Sequence, residues 1–166
     1  MHPLFHPLFI DFCAYFNGNQ DYFECHEVLE EYWKTIAPGK KEHPLVGYIQ
    51  LATGLYHWRR GNLRGAHRIM RKAYKKFLSN QGHPFFDYID FQQLCNDCLK
   101  SIDAIENNQP YKAFQIKLMN RDLIEKVNGK ISSLPPLSHE FLLHKHMLRD
   151  RSDILTMREE KRNGRR

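Results

Sequence analysis

The chain has 166 residues, 42% hydrophobic and 13% aromatic, with a formal charge of +6. That is enough apolar material for one buried core, which excludes a wholly disordered chain. No run of about 18 apolar residues occurs, which argues against a membrane span, and Met1-His-Pro-Leu-Phe-His-Pro lacks the basic start and apolar stretch of an export signal.

Nearly every segment carries helical rather than alternating periodicity. A first helix is expected from Pro7 to Phe16, stopped by Asn17-Gly-Asn, and a second from Asp21 to just before Pro38-Gly39. A third follows Pro44 and ends at Gly61, after which Asn62 can cap a fourth that reaches Asn80. Gly82-His-Pro84 breaks the chain before a fifth helix from Asp87 to Glu106. Beyond Pro110, Phe114, Ile116 and Leu118 alternate with polar residues, as in a short extended segment laid on a bundle, and Asp122 to Ile131 reads as one more helix. Pro135-Pro136 reads as a hinge, and Ser138 to Arg162 as a helical stretch interrupted near Asp150-Arg-Ser-Asp153. The fold class expected is all-α: a compact, mainly antiparallel bundle of five to six helices over residues 1–134 with a basic helical tail over 135–166. The four cysteines, in a chain with no export signal, read as reduced thiols of a cytoplasmic protein.

Charge is unevenly placed. Asp21 to Glu31 carries five carboxylates and no Lys or Arg, whereas Arg59 to Lys76 carries eight Lys or Arg and no carboxylate. Such asymmetry points either to a polyanionic partner or to an acidic and a basic helix of one fold facing each other.

At 100° per residue, Tyr22, His26, Leu29, Trp33 and Ile36 share one stripe of the second helix, which places His26 in the packing seam. Glu30 lies roughly 60° off that stripe, at its rim, while Glu24, Glu27 and Glu31 point away from it. His26-Glu27 with Glu30 where a second histidine would stand is therefore not a zinc-protease signature. On the third helix Leu45, Tyr48, Ile49, Leu51, Ala52, Leu55, Tyr56 and Trp58 cover most of the circumference, so it should be central. Gln50 and His57 align on the remaining side and must find hydrogen-bond partners. The fourth helix has a seam of Leu63, Ala66, Met70, Ala73 and Phe77, with Arg64, Arg68, Arg71, Lys72, Lys75 and Lys76 on the opposite arc. Its start, with Arg60, Asn62 and Arg64 near free helix-start amides, has the ingredients of an anion site.

Several motifs occur in order: Tyr22-Phe-Glu-x-His-Glu-x-Leu-Glu-x-x-Trp33, Ile49-Gln-x-Ala52, Tyr56-His57 and Arg60-Gly-Asn-x-x-Gly-Ala66. Together they resemble domain-of-unknown-function family 309, a group of short helical proteins, over about residues 17 to 105. The resemblance implies a compact helical fold and places His26, Glu27, Glu30, Trp33, Gln50, His57, Asn62, Gly65 and Ala66 in the family pattern. It implies no activity.

The leading functional reading is a non-catalytic binding or interaction module, whose polar His/Glu/Gln cluster organises the fold or holds a small anionic ligand. The candidate binding residues are Glu27, Trp33, Arg60, Asn62, Arg64 and Arg68. The first alternative is a small hydrolase or metal-assisted enzyme. There His26 or His57 would act as base, Glu30 would orient it, Gln50 would position substrate or water, and a divalent metal could sit on His26, Glu30 and His57. The simpler account of these four side chains is that they satisfy one another where two helices cross. No cofactor signature accompanies them. The second alternative is nucleic-acid or phosphate binding through residues 59–76, against which stands a solvated face partly neutralised by Glu24, Glu27 and Glu31. Cys95-x-x-Cys98 reads as packed thiols, and a homodimer is compatible with the chain.

Overall fold

The computed structural model describes residues 1–135. The helix expected from Ser138 to Arg162, and any role for the basic tail, lie outside the described residues. Within them run six α-helices: α1 (Pro7–Ala14), α2 (Tyr22–Ile36), α3 (Pro44–Arg59), α4 (Leu63–Ser79), α5 (Phe91–Glu106) and α6 (Arg121–Ser133). The all-α expectation holds, and so do most of the boundaries.

The starts of these helices follow from local chemistry. Asp21, Asn62, Asp90 and Asn120 each accept the amide of the residue three positions on, which satisfies one orphan donor of the first turn. A second device recurs four times, at every His-Pro step in the described chain. His2, His6, His43 and His83 sit in extended backbone, and each turns Nδ1 onto the amide two residues later, at 3.2, 3.1, 3.0 and 3.2 Å. Proline at the first helical position needs no hydrogen-bond acceptor, so the imidazole serves the next amide. His6 and His43 start α1 and α3 in this way, and His2 and His83 start short 3₁₀ turns. Gly39, Gly61 and Gly82 take φ of +75°, +84° and +86° in the connections after α2, α3 and α4, where a side chain would be strained.

Two boundaries differ from expectation. α5 begins at Phe91 rather than Asp87, because Asp90 is the residue that caps it; the other is the end of α1. The chain does not stop at Asn17 but continues α1 through a widened π-helical turn, Tyr15–Asn19, ended by Gln20 in left-handed backbone. From that turn Asn17 clamps the extended segment after α5: its amide donates to the Ile116 carbonyl at 2.9 Å, and its Oδ1 accepts the Ile116 amide at 2.8 Å. The same segment pairs antiparallel at Leu118 with Ile89. The alternation of Phe114, Ile116 and Leu118 is thus the signature of a strap on the bundle; Ile116 is buried, and all three pack at the core.

α3 is the central element. Leu45, Tyr48, Leu51, Ala52 and Leu55 are fully buried, and α3 packs against both α2 and α4. Its backbone approaches α4 closely because two glycines face it. A Cβ on Gly47 would stand 2.8 Å from Phe77, and one on Gly54 would stand 2.6 Å from the Met70 sulfur. The pairing of 47 with 77 and of 54 with 70 runs in opposite senses, so α3 and α4 are antiparallel, as the short 60–62 connection requires. Aromatic rings fill the space between α1, α3 and α4: Tyr48 lies edge-on to Phe9, Phe12 and Phe77, and its hydroxyl donates to the Phe85 carbonyl at 2.8 Å.

Candidate functional site

Three groups of polar residues stand out, and they are separate. The first lies on α2. The residues of this helix that are buried are Tyr22, Cys25, Leu29 and Tyr32. The seam is therefore rotated by about 40° from the stripe expected through His26, Trp33 and Ile36. Cys25 and Tyr32 take the inner positions, Ile36 is 44% exposed, and His26 is moved to the rim. There its Nε2 lies 3.5 Å from Glu30 Oε2 and its Nδ1 lies 3.4 Å from Glu27 Oε1. Glu27 thus does not point away from its histidine, which corrects the expectation; on the solvent side of the helix its flexible chain reaches back to the neighbouring ring. Glu30 is also held by Lys34 at 2.8 Å, and that hydrogen bond, followed by the charge of His26, keeps its carboxyl below the usual carboxylate range despite partial burial. Trp33 is half-buried, and its indole donates to the Lys40 carbonyl at 3.0 Å, fixing the turn after α2.

The second group is the corner between α3 and α4. Asn62 folds its side chain over the first turn of α4 and accepts the Gly65 amide at 3.1 Å, while its amide nitrogen stands 3.4 Å from His57 Nδ1. A Cβ on Gly65 would come within 2.6 Å of that Asn62 side chain, so the Asn-x-x-Gly spacing is a steric requirement of the cap. One of the helix-start amides expected to receive an anion is thereby already used. Arg60 lays its guanidinium 5.3 Å from the centre of the Tyr56 ring. Arg59, not Arg60, is the arginine built into the interior. It donates to the Gln20 carbonyl at 2.8 Å and stacks 4.6 Å over Tyr22 and 5.6 Å from Tyr111. Tyr22 and Tyr111 are joined through their hydroxyls, and burial pushes the Tyr22 hydroxyl well above its ordinary pKa. A signal for Arg59 was present in the sequence: it continues the buried Tyr48–Ala52–Leu55 stripe by one further turn.

Gln50, the remaining candidate, is half-buried, and its Oε1 has no hydrogen-bond partner among the described residues. Among the described residues, no hydrogen bond joins His26 or Glu30 to Gln50 or His57, and no three His, Cys, Asp or Glu side chains are placed to hold a metal ion. Cys13, Cys25, Cys95 and Cys98 are unbridged and buried, and burial pushes all four thiols up, as packed side chains rather than reactive ones.

The third group is the outer face of α4. Arg64, Arg68, Arg71, Lys72 and Lys75 are all exposed, and helical geometry puts them within an arc of about 100° centred opposite the Ala66–Met70–Ala73–Phe77 seam. No carboxylate among the described residues forms an ion pair with any of the five. The α4 pairs that do form involve its flanks: Lys76 with Glu42 at 3.1 Å and His67 with Glu106 at 2.8 Å. The alternative of neutralisation by Glu24, Glu27 and Glu31 finds no support, since among the described residues none of the three forms an ion pair with α4. Glu27 serves His26, and the Glu31 carbonyl, not its carboxylate, accepts a bond from Thr35 at 2.8 Å. Local sequence makes this face bare, since no Asp or Glu occurs between Glu42 and Asp87.

Comparison with known proteins agrees with this architecture. The family described as Domain of unknown function (DUF309) matches residues 9–69, which run from α1 to the first two turns of α4. The chain is 38% identical over 159 residues to the Uncharacterized protein YpuF of Bacillus subtilis (strain 168), a match that covers 91% of each chain. No solved structure matches it. On the family match, the motifs and the extent of this similarity, the chain belongs to the DUF309 family.

Proposed function

We propose that this protein is a non-catalytic interaction module that binds a polyanion, with the outer face of α4 as its working surface. The observation that carries the proposal is the set of five exposed cations on one face, none of which forms an ion pair with a carboxylate among the described residues. Like charges held this close on one helix repel one another, and an anionic partner relieves that repulsion. A hydrolytic centre has less support: His26 is engaged by glutamates of its own helix, and His57 stands beside the Asn62 cap.

The test is fluorescence anisotropy with labelled heparin, a generic polyanion, in 50–200 mM salt. The wild-type chain should bind with an affinity that falls steeply as salt rises, and a variant carrying Arg68→Gln, Arg71→Gln and Lys75→Gln should lose most of that affinity while its circular dichroism is unchanged. Absence of binding, or equal binding by the variant, refutes the proposal.

A further inference from the structure

We infer that the polyanion is a nucleic-acid duplex, held chiefly through its phosphates; this rests on the interaction-module reading above and names its partner. Three observations about α4 lead to it. First, its apolar side is fully used. Ala66, Met70, Ala73 and Phe77 are buried, and α4 packs against α3 and α5. No apolar face remains to enter a lipid boundary, which an interfacial helix needs.

Second, the cationic arc carries no stacking platform. Single-stranded nucleic acid is held by aromatic rings set in a positive groove. The aromatic residues of α4 are Phe77, which is buried, and Tyr74, which packs against the core. The one large apolar side chain exposed on α4 is Leu78, beyond the last cation of the arc. The same poverty of exposed aromatic and aliphatic anchors disfavours an acidic protein, whose interface would need a desolvated centre.

Third, the charges match a duplex in scale and in kind. From Arg64 to Lys75 the helix rises about 16 Å. A duplex of that length carries roughly ten phosphates, at one per about 1.7 Å, and about half of them face one side. Five cations therefore meet about five phosphates. Three of the five are arginines, whose planar forks suit phosphate oxygens. Neither a Glu nor an Asp stands on the arc to read a cytosine, and neither an Asn nor a Gln to read an adenine; the arginines and lysines that do stand there suit phosphate oxygens and, among bases, guanine edges alone.

The experiment is anisotropy with five labelled probes at 50–200 mM NaCl: a DNA duplex and an RNA duplex of 20 base pairs, one of the single strands, poly-glutamate, and vesicles containing phosphatidylserine. The proteins are the full chain, the Arg68→Gln/Arg71→Gln/Lys75→Gln variant, and a Lys112→Gln/Lys126→Gln control whose exposed lysines lie on the strap and α6. We expect the wild type to bind at least one duplex, about tenfold or more tighter than the single strand, poly-glutamate or vesicles. Five phosphate contacts give a slope of log K against log salt near −4.5, or about a 500-fold loss from 50 to 200 mM. The triple variant should lower that slope by about 2.7, and the control should leave it unchanged. DNA and RNA duplexes bound alike would confirm backbone recognition, and a preference for one would identify the source of the phosphates. Single strand, poly-glutamate or vesicles bound as tightly as duplex overturns the duplex inference while leaving the interaction module standing. No binding to any of the five probes overturns the duplex inference, and no binding to heparin besides overturns the interaction module as well; a control that loses as much as the triple variant overturns the assignment to α4.

Discussion

The histidine caps make the fold sensitive to acid in a way that one pair of substitutions isolates. His43 starts α3 and His83 starts the turn before α5, and both accept a backbone amide at Nδ1, which only the unprotonated nitrogen can do. The two rings lie 5.5 Å apart, edge to face, with Phe85 beside both. Burial lowers the pKa of each; the neighbouring His83 and Lys40 lower that of His43 further, while Asp87 opposes the shift at His83. A base whose folded pKa is depressed leaves stability intact at high pH, where it is neutral in both states. As the pH falls below the unfolded value of about 6.5, the unfolded chain takes up protons that the folded one refuses, and stability is lost until the folded pKa is passed. A cap is worth about 1 kcal/mol, so the two together put about 2 kcal/mol at stake between pH 7 and pH 5. For a chain of this size that is a fall in Tm of about 4–8 °C.

Asparagine caps helices well and does not titrate, so His43→Asn/His83→Asn should fold with near wild-type stability at pH 7.5. Tm measured by circular dichroism at half-unit steps from pH 7.5 to 5 should fall less in this variant than in the wild type, by about those 4–8 °C. The other histidines are common to both proteins and cancel in the difference. These include His26 and His67, which stand beside carboxylates, and His2, whose Nε2 lies 3.0 Å from Asp87. If wild type and variant lose Tm in parallel, the caps are not what acid breaks.

Three further outcomes are expected. Gly54→Ala should lower stability by about 1–3 kcal/mol in urea unfolding, because its Cβ would overlap Met70, whereas Gly129→Ala, in open space on α6, should raise it by up to about 1 kcal/mol. Asn17→Ala removes two hydrogen bonds to the backbone of Ile116 and should cost about 1–3 kcal/mol. Amide exchange would show whether the loss loosens residues 114–118 first; unchanged exchange there would mean the clamp is not what holds the strap. All four thiols should resist a disulfide reagent in the native protein and react on unfolding, and rapid labelling of any of them at neutral pH would contradict their burial.

Much of this architecture was legible in the sequence because period and punctuation agreed. The α4 seam of Ala66, Met70, Ala73 and Phe77, the central place of α3 and the Asn62 cap follow from spacing alone. α2 was harder because two stripes compete: Cys25 and Tyr32 on one side, His26 and Trp33 on the other. Periodicity cannot choose between a small thiol and an imidazole until the neighbouring helices are placed, and burial of Cys25 settled it. The role of the His-Pro steps was missed because histidine is not among the residues usually expected to cap helices, although the four repeats stand plainly in the chain. The bareness of α4 was legible only in part. The chain shows no Asp or Glu between Glu42 and Asp87, but whether glutamates of other helices reach the face is a matter of side-chain reach rather than of sequence order.

The central claim is that the surface that works is α4 and not the acidic rim of α2. An amide-resolved NMR titration of the full chain with a 20-base-pair duplex tests it most directly. Shifts concentrated at Arg64, Arg68, Arg71, Lys72 and Lys75, and reversed by salt, are the predicted result. Shifts centred on His26, Glu27 and Glu30 with α4 silent would contradict it.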